Sequence, residues 1–170
     1  MSTKADLSQR VRGGGRPGLL TILIAGGAAG AIDFIYATTE TVLAGGAALR
    51  PWKGVAAALF GVSAVIEGGD AIAVAGIALH FLITIVAAGF YFAAASRARG
   101  LVDHPWPAGV VFGILFFLAM NYVILPLSVM GHPLYAGPKG IFDAIISHVL
   151  MIGLPISLLT AMRLRGADWT

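Results

Sequence analysis

The sequence of 170 residues contains no cysteine and few charged residues. Without cysteine the chain cannot form disulfides, ligate a metal through thiolates or carry redox chemistry on sulfur. Only 11% of the residues are charged and 58% are hydrophobic, with a mean hydropathy of +0.90, a balance that argues against a soluble domain of this length. The sequence also lacks a nucleophile elbow, a phosphate-binding P-loop, a dinucleotide fingerprint and an HExxH motif, so we expect no catalytic residues.

Four long apolar stretches predict transmembrane helices. They cover about residues 18–40, 71–96, 107–128 and 140–162, and each is near the ~20 residues that a helix needs to cross the hydrocarbon of a bilayer. We therefore predict an all-α fold, an integral membrane four-helix bundle. Residues 18–165 form its single domain, between a basic N-terminal tail (1–17) and a C-terminal tail (166–170).

The segment between the first two stretches is apolar over residues 55–66 only. At 1.5 Å per residue so short a helix cannot cross ~30 Å of hydrocarbon. Pro51 favours a helix start, and Gly68 and Gly69 favour a helix end. We expect a short interfacial or re-entrant helix here, between spans 1 and 2.

The basic residues predict the orientation. One end of the bundle would carry Lys4, Arg10, Arg12, Arg16, Arg97, Arg99, Arg163 and Arg165 against Arg50, Lys53 and Lys139 at the other. The positive-inside rule then places both termini in the cytoplasm. Because the basic residues lie at helix ends, the net charge of +3 gives no reason to expect a nucleic acid partner. The aromatic residues expected at the membrane interfaces are Trp52, Trp106, Tyr135 and Trp169.

Away from its ends, each apolar stretch holds one ionisable or amide side chain typical of a polar site, namely Asp33, His80, Asn121 and His148. Counting along the helices places all four about 9–13 Å beneath the outer surface of the hydrocarbon. Each group alone in lipid costs several kcal/mol, whereas gathered groups satisfy one another. We predict that they form a polar intramembrane cluster. Secondary polar candidates are Tyr36, Glu40, Thr84, Tyr91 and Tyr122.

Structural interpretations stand beside this functional one. Histidine and asparagine in a membrane bundle often only hydrogen-bond across helices, an interpretation that suits Asn121 best. A carboxylate such as Asp33 must instead be paired or neutralised. Pro126 and Pro155 are expected to kink their helices. The small-xxx-small spacing that permits close helix contacts occurs at Gly26 and Gly30 and again at Gly109 and Gly113.

Four runs of the chain resemble a known family. They are AGAIDFIYA (29–37), GIALHFLITIVAAGFYFAAASR (76–97), MNYVILPLS (120–128) and HVLMIGLPISL (148–158). They resemble small, uncharacterised bacterial inner-membrane proteins of the YagU-like type, over about residues 18–165. The resemblance implies a four-span protein of the bacterial inner membrane without an agreed enzymatic activity, and its polar positions match Asp33, His80, Asn121 and His148. Near Trp52, Lys53 and Glu67 the chain departs from the pattern.

Three functions remain open, all in contact with the lipid bilayer. In the first, the polar cluster handles a small solute, proton or cation. In the second, the protein is an accessory subunit or a homo-oligomer whose glycine faces dock on a larger membrane complex. In the third, His80 and His148 ligate the iron of haem b or, with Asp33, a metal ion. Our first expectation is nevertheless that the protein binds no cofactor.

Overall fold

The computed structural model describes residues 15–135 and 137–166, so that most of both predicted tails, and Trp169, lie outside the described residues. All regular secondary structure in the described chain is helical. In chain order the elements are α1 (Gly15–Leu43), α2 (Arg50–Glu67), α3 (Ile72–Ala95), α4 (Arg99–Asp103), α5 (Pro105–Ala119), the π-helical segment π1 (Met120–Ile124), α6 (Leu125–Leu127), α7 (Pro138–Ser147), the π-helical segment π2 (His148–Gly153) and α8 (Leu154–Gly166).

Four helical stretches are long and apolar enough to cross a membrane. They are span 1 (Gly18–Leu43), span 2 (Ile72–Ala95), span 3 (Pro105–Leu127) and span 4 (Pro138–Gly166). This confirms the predicted all-helical architecture with four apolar spans. Span 1 packs against spans 2 and 4, and span 3 packs against span 4. Spans 1 and 4 therefore form the centre of the bundle.

Both GxxxG pairs pack inside this chain. Gly26 and Gly30 face span 2, where a Cβ added at Gly26 would lie 2.5 Å from the Cα of Ile85. Gly113 of the second pair faces span 4, where an added Cβ would lie 2.6 Å from the Cα of Val149. Because backbones approach this closely only at glycine, the two pairs are used within the bundle. Their expected role in docking on a membrane partner is not supported.

The two prolines inside spans 3 and 4 coincide with changes in helix geometry. The segment π1 immediately precedes the short helix that contains Pro126, and π2 ends two residues before Pro155. A proline removes one backbone donor and crowds the carbonyl oxygen four residues earlier, and a wider π turn relieves that crowding. Asn121 lies in π1 and His148 in π2, so both polar side chains project from distorted turns.

Helix α2 occupies the connection between spans 1 and 2. It has Pro51 in its first turn and is followed by Gly68, in agreement with the predicted helix signals. Its course is broken at Gly61, which has φ 83° and ψ 162°. The helix packs closely against span 2. A Cβ added at Gly76 of span 2 would overlap the carbonyl oxygen of Trp52, so only glycine permits this approach. Its position relative to a membrane surface stays a prediction.

Trp52 packs inside the protein and not against lipid, and its predicted level at a membrane interface stays a prediction. Its side chain is only 2% exposed and packs inside the protein, whereas Trp106 is 62% exposed. A tryptophan beside Lys53 in a short helix is typical of a membrane interface. Here the close contact between α2 and span 2 turns the indole inward instead.

Basic side chains hold together the end of the bundle that contains both chain ends of the described fold. The Nε of Arg163 donates to Thr21 Oγ1 over 3.1 Å. A guanidinium nitrogen of Arg165 donates to the carbonyl oxygen of Asp103 over 3.1 Å and also to that of Val102. These contacts join the start of span 1, the connection between spans 2 and 3, and the end of span 4. We call this the basic end.

Candidate functional site

Asp33 and His80 lie side by side between spans 1 and 2. The carboxylate oxygen Oδ2 of Asp33 is 3.9 Å from Nδ1 of His80, and the two side chains are 16% and 8% exposed. The other ring nitrogen, Nε2, is 3.0 Å from the carbonyl oxygen of Gly30. Since a carbonyl oxygen can only accept, Nε2 carries a proton and donates it to this bond. Nδ1 is therefore the nitrogen that faces the carboxylate.

The glycine pair of span 1 makes this arrangement possible. A Cβ at Gly30 would lie 2.7 Å from Thr84 Oγ1 and 2.9 Å from Cδ1 of Phe81. Without that Cβ, span 2 approaches closely enough for His80 to reach the backbone of span 1. The same approach brings the imidazole to the carboxylate one turn further along α1, since Gly30 and Asp33 lie three residues apart.

The 3.9 Å between Nδ1 and Oδ2 is an ion-pair distance, longer than a direct hydrogen bond. With Nε2 protonated, a neutral imidazole presents the lone pair of Nδ1 to the carboxylate, and the two negative ends repel. One additional proton removes the repulsion, either on Nδ1 as an imidazolium opposite a carboxylate or on Asp33 as a neutral acid opposite the lone pair. In a medium of low dielectric either state is far better than the unprotonated pair. Asp33 and His80 together form a proton-binding pair.

Aromatic rings surround this pair. The ring centroid of Trp52 lies 4.9 Å from that of His80. Phe34 stacks on the indole of Trp52, with ring centroids 4.5 Å apart. The indole Nε1 donates to Thr38 Oγ1 over 3.0 Å. The rings keep the proton-binding pair in an apolar environment. Sequence reasoning missed Trp52 here, and the signal that points to it is Gly76, one turn before His80, where a second backbone must come close.

His148 begins the segment π2 of span 4, which packs against spans 1 and 3. Its Nδ1 is 2.8 Å from the carbonyl oxygen of Ala144 and therefore donates to it. Its ring packs edge-on against Phe117, with centroids 5.4 Å apart. The carboxylate of Asp33 interacts electrostatically with both His80 and His148. The structure thus brings Asp33 and His80 into direct contact and places His148 close enough for its charge to act on Asp33; we refer to the three as one polar group.

Asn121 makes different contacts from the other three residues. Its side-chain oxygen accepts hydrogen bonds from the backbone N–H groups of Leu134 and Tyr135, over 3.1 and 3.0 Å. Its side-chain nitrogen donates to the carbonyl oxygen of Tyr135 over 3.2 Å. The residue is 1% exposed. These contacts agree with the structural interpretation of Asn121, although the bonds run to a loop rather than across helices.

Tyr135 is a second residue that sequence reasoning did not place in the site. Its ring lies edge-on to His148, with centroids 6.4 Å apart, and no apolar run or motif marks it. Burial raises the pKa of the Tyr135 phenol, and the negative charges of Asp33 and Glu40 raise it further. The phenol therefore stays protonated near neutral pH.

The secondary candidates divide between two regions. Tyr36 and Glu40 continue from Asp33 toward the end of the bundle opposite the basic end, and Tyr36 interacts electrostatically with Asp33, Glu40 and Asp143. Thr84 is buried beside Gly30, and its hydroxyl donates to the carbonyl oxygen of Phe81.

Tyr91 and Tyr122 lie away from the polar group. The hydroxyl of Tyr91 donates to the carbonyl oxygen of Leu101 over 3.3 Å, close to the basic end. Tyr122 is 47% exposed and lies edge-on to Phe117. Neither residue contributes a polar atom to the group formed by Asp33, His80 and His148 in the contacts of the described chain.

The arrangement gives little support to a metal or haem site. Across residues 15–135 and 137–166, no group of three or more His, Cys, Asp or Glu side chains is placed to hold a metal ion. One nitrogen of His80 and one of His148 already donate to backbone carbonyl oxygens, and the other nitrogen of His80 faces Asp33. Axial ligation of a haem by both rings would break the contacts that hold His80.

No family model, no curated protein and no solved structure matches the sequence.

Proposed function

We propose that this chain is a small multi-pass protein of the bacterial inner membrane that handles a proton or another small cation or solute through the group formed by Asp33, His80 and His148. We further propose that both termini lie in the cytoplasm and that the chain is a member of the YagU-like type. The observation that carries the proposal is the geometry of Asp33 and His80. A buried carboxylate faces the one imidazole nitrogen that is free to take up a proton.

This geometry favours a proton over other solutes. Imidazole changes its charge near neutral pH, and a carboxylate inside a spanning helix marks an ion or proton path more often than a structural contact. The charge of His148, on span 4, also acts on this carboxylate. A second imidazole near the pair provides an alternative position for a transferred proton.

The charge distribution along the bundle supports the direction of access. Tyr36 and Glu40 extend the polar side of span 1 away from the basic end, and Asp143 interacts with Tyr36 from span 4. Carboxylates at this end attract cations. The excess of arginine at the basic end is the charge pattern of a cytoplasmic face, so the proposed entrance is on the outer side.

The test is proton flux into liposomes that contain the purified full chain, followed with a pH-sensitive dye after a potential is imposed. We expect flux in the parent protein and its loss in Asp33→Asn and in His80→Gln, since each change removes one member of the proton-binding pair. The matched control is Asp103→Asn, because this exposed carboxylate pairs with Arg99 over 3.7 Å at the basic end and belongs neither to the pair nor to the proposed entrance.

Two results would contradict the proposal. One is undiminished flux in both Asp33→Asn and His80→Gln. The other is a parent protein that conducts no protons and whose infrared spectrum shows no protonated carboxyl band that disappears in Asp33→Asn. Thermal unfolding of each variant in detergent distinguishes loss of the pair from loss of the fold.

The other two hypotheses have weaker support. The glycine pairs expected to dock on a partner are occupied within the chain. Nδ1 of His80 faces Asp33, and the described residues hold no group of three or more side chains placed for a metal ion. A homo-oligomer or a larger membrane complex remains compatible with the proposed proton role.

A further inference from the structure

The loop between spans 3 and 4 is held against the bundle through Asn121. Asn121 lies six residues before the end of span 3 at Leu127, which corresponds to a depth of about 9 Å along a helix. Its side-chain hydrogen bonds hold the backbone of Leu134 and Tyr135, within one side-chain length of that level. Leu134 and Tyr135 are 48% and 37% exposed, so the loop lies over the bundle with one side open.

Two glycines allow the chain to turn in and out again. Gly131 and Gly137 have φ values of +73° and +78°, a region that residues with a Cβ rarely adopt. They lie on either side of Leu134 and Tyr135. We call residues 128–135 the strap. The strap places the ring of Tyr135 against Phe117 and His148, with centroids 6.2 and 6.4 Å apart.

The strap is also tied to helix α2. The backbone N–H of Val129 donates to the carbonyl oxygen of Ala58 over 3.1 Å, next to the break in α2 at Gly61. A Cβ at Gly61 would lie 3.1 Å from a side-chain carbon of Val129. The two segments that do not span the bundle therefore contact each other directly.

Each of these segments covers one histidine with one aromatic ring. Helix α2 places Trp52 against His80, and the strap places Tyr135 against His148. Both lie at the end of the bundle opposite the basic end. We infer that α2 and the strap form a single cover over the group of Asp33, His80 and His148, and that displacement of Tyr135 opens this group to water from the outer side. What passes through the opened cover rests on the proposed function, whereas the cover itself does not.

The absence of cysteine provides a direct test. In His148→Cys the introduced thiol is the only one in the chain, and its reaction with a membrane-impermeant thiosulfonate reports water access to the site. The reagent is applied to spheroplasts and to inverted membrane vesicles. We expect slow labelling when the strap is intact. In combination with Tyr135→Ala or Asn121→Ala, labelling from the outer side should become about tenfold faster or more, because the ring or the bonds that hold it are lost.

Tyr122→Ala is the matched control for Tyr135→Ala. Both changes remove a tyrosine ring that contacts Phe117, but Tyr122 faces outward and does not cover His148. Its labelling rate should equal that of the parent. A second probe, Ala88→Cys, lies fully buried in span 2 toward the basic end and should stay unlabelled in every background.

Three outcomes would overturn the inference. They are an unchanged labelling rate at position 148 in both strap variants, an increase that is equally large from the basic side, and a parallel increase at position 88, which shows general loosening. The proton flux of the chain without cysteine is measured separately. Faster labelling in a protein without flux would leave the cover and remove the proposed function, whereas flux with unchanged labelling would remove only the cover.

Discussion

Replacing Gly30 with alanine is expected to destabilise the bundle and to separate the proton-binding pair. The added methyl group would lie 2.7 Å from Thr84 Oγ1 and 2.9 Å from Phe81 Cδ1, whereas ordinary contacts begin at 3.4 Å. The side chains of Thr84 and Phe81 must therefore shift by several tenths of an ångström or push span 2 away from span 1. The bond from His80 to the carbonyl oxygen of Gly30 lies in this same contact and lengthens when span 2 moves.

The magnitude follows from three contributions. Overpacking of a well-packed contact costs about 1–3 kcal/mol, and a weakened hydrogen bond costs up to about 1.5 kcal/mol. Alanine offsets about 1 kcal/mol of this through its helix propensity. A net loss of up to about 3.5 kcal/mol lowers the melting temperature of a chain of this size by up to roughly 14 °C.

The matched control is Gly27→Ala, three residues earlier on the same helix. No atom lies within 4 Å of a Cβ built at Gly27, so this variant gains helix propensity without overpacking and should be at least as stable as the parent. Thermal unfolding in detergent, followed by tryptophan fluorescence, measures both variants. Equal melting temperatures for Gly30→Ala and Gly27→Ala would refute the close contact between spans 1 and 2.

Two further predictions concern α2 and the strap. Gly76→Ala should lower the melting temperature more than Gly54→Ala, because its methyl group overlaps the Trp52 carbonyl oxygen whereas Gly54 has open space; similar values would contradict the docking of α2 on span 2. For Tyr135, the raised pKa means that the fold favours the neutral phenol. Its stabilisation is complete below the ordinary pKa of about 10 and is lost as the pH rises through the folded value. The melting temperature should therefore fall less between pH 9 and 11 in Tyr135→Phe than in the parent, and parallel curves would speak against the buried phenol.

The spans and the three ionisable residues of the site follow from local properties. Hydropathy is a property of composition, so 18 or more apolar residues identify a span whatever it packs against. The cost of Asp33, His80 or His148 in hydrocarbon is likewise independent of the partner. For this reason the sequence predicts that these residues need one another, and counting residues along helices places them near one depth. The distortions at Pro126 and Pro155 follow from the covalent structure of proline.

The assignment of Asn121 shows where such reasoning ends. Its depth is the same kind of evidence as that for His148, and it predicts a partner without naming one. The partner is the backbone of residues 134 and 135, in a segment whose glycines and prolines predict only a loop. Hydrogen-bonding capacity is a local property, but the group that satisfies it is not.

The sequence by itself determined a four-span helical bundle with an aspartate and two histidines that lipid cannot accommodate alone. Only the tertiary structure decided that Nε2 of His80 bonds to Gly30, that Trp52 is turned inward and that Tyr135 covers His148. The physical reason is the separation along the chain. His80 and Gly30 are 50 residues apart, and such contacts arise from the packing of whole helices, to which each residue contributes only a small part.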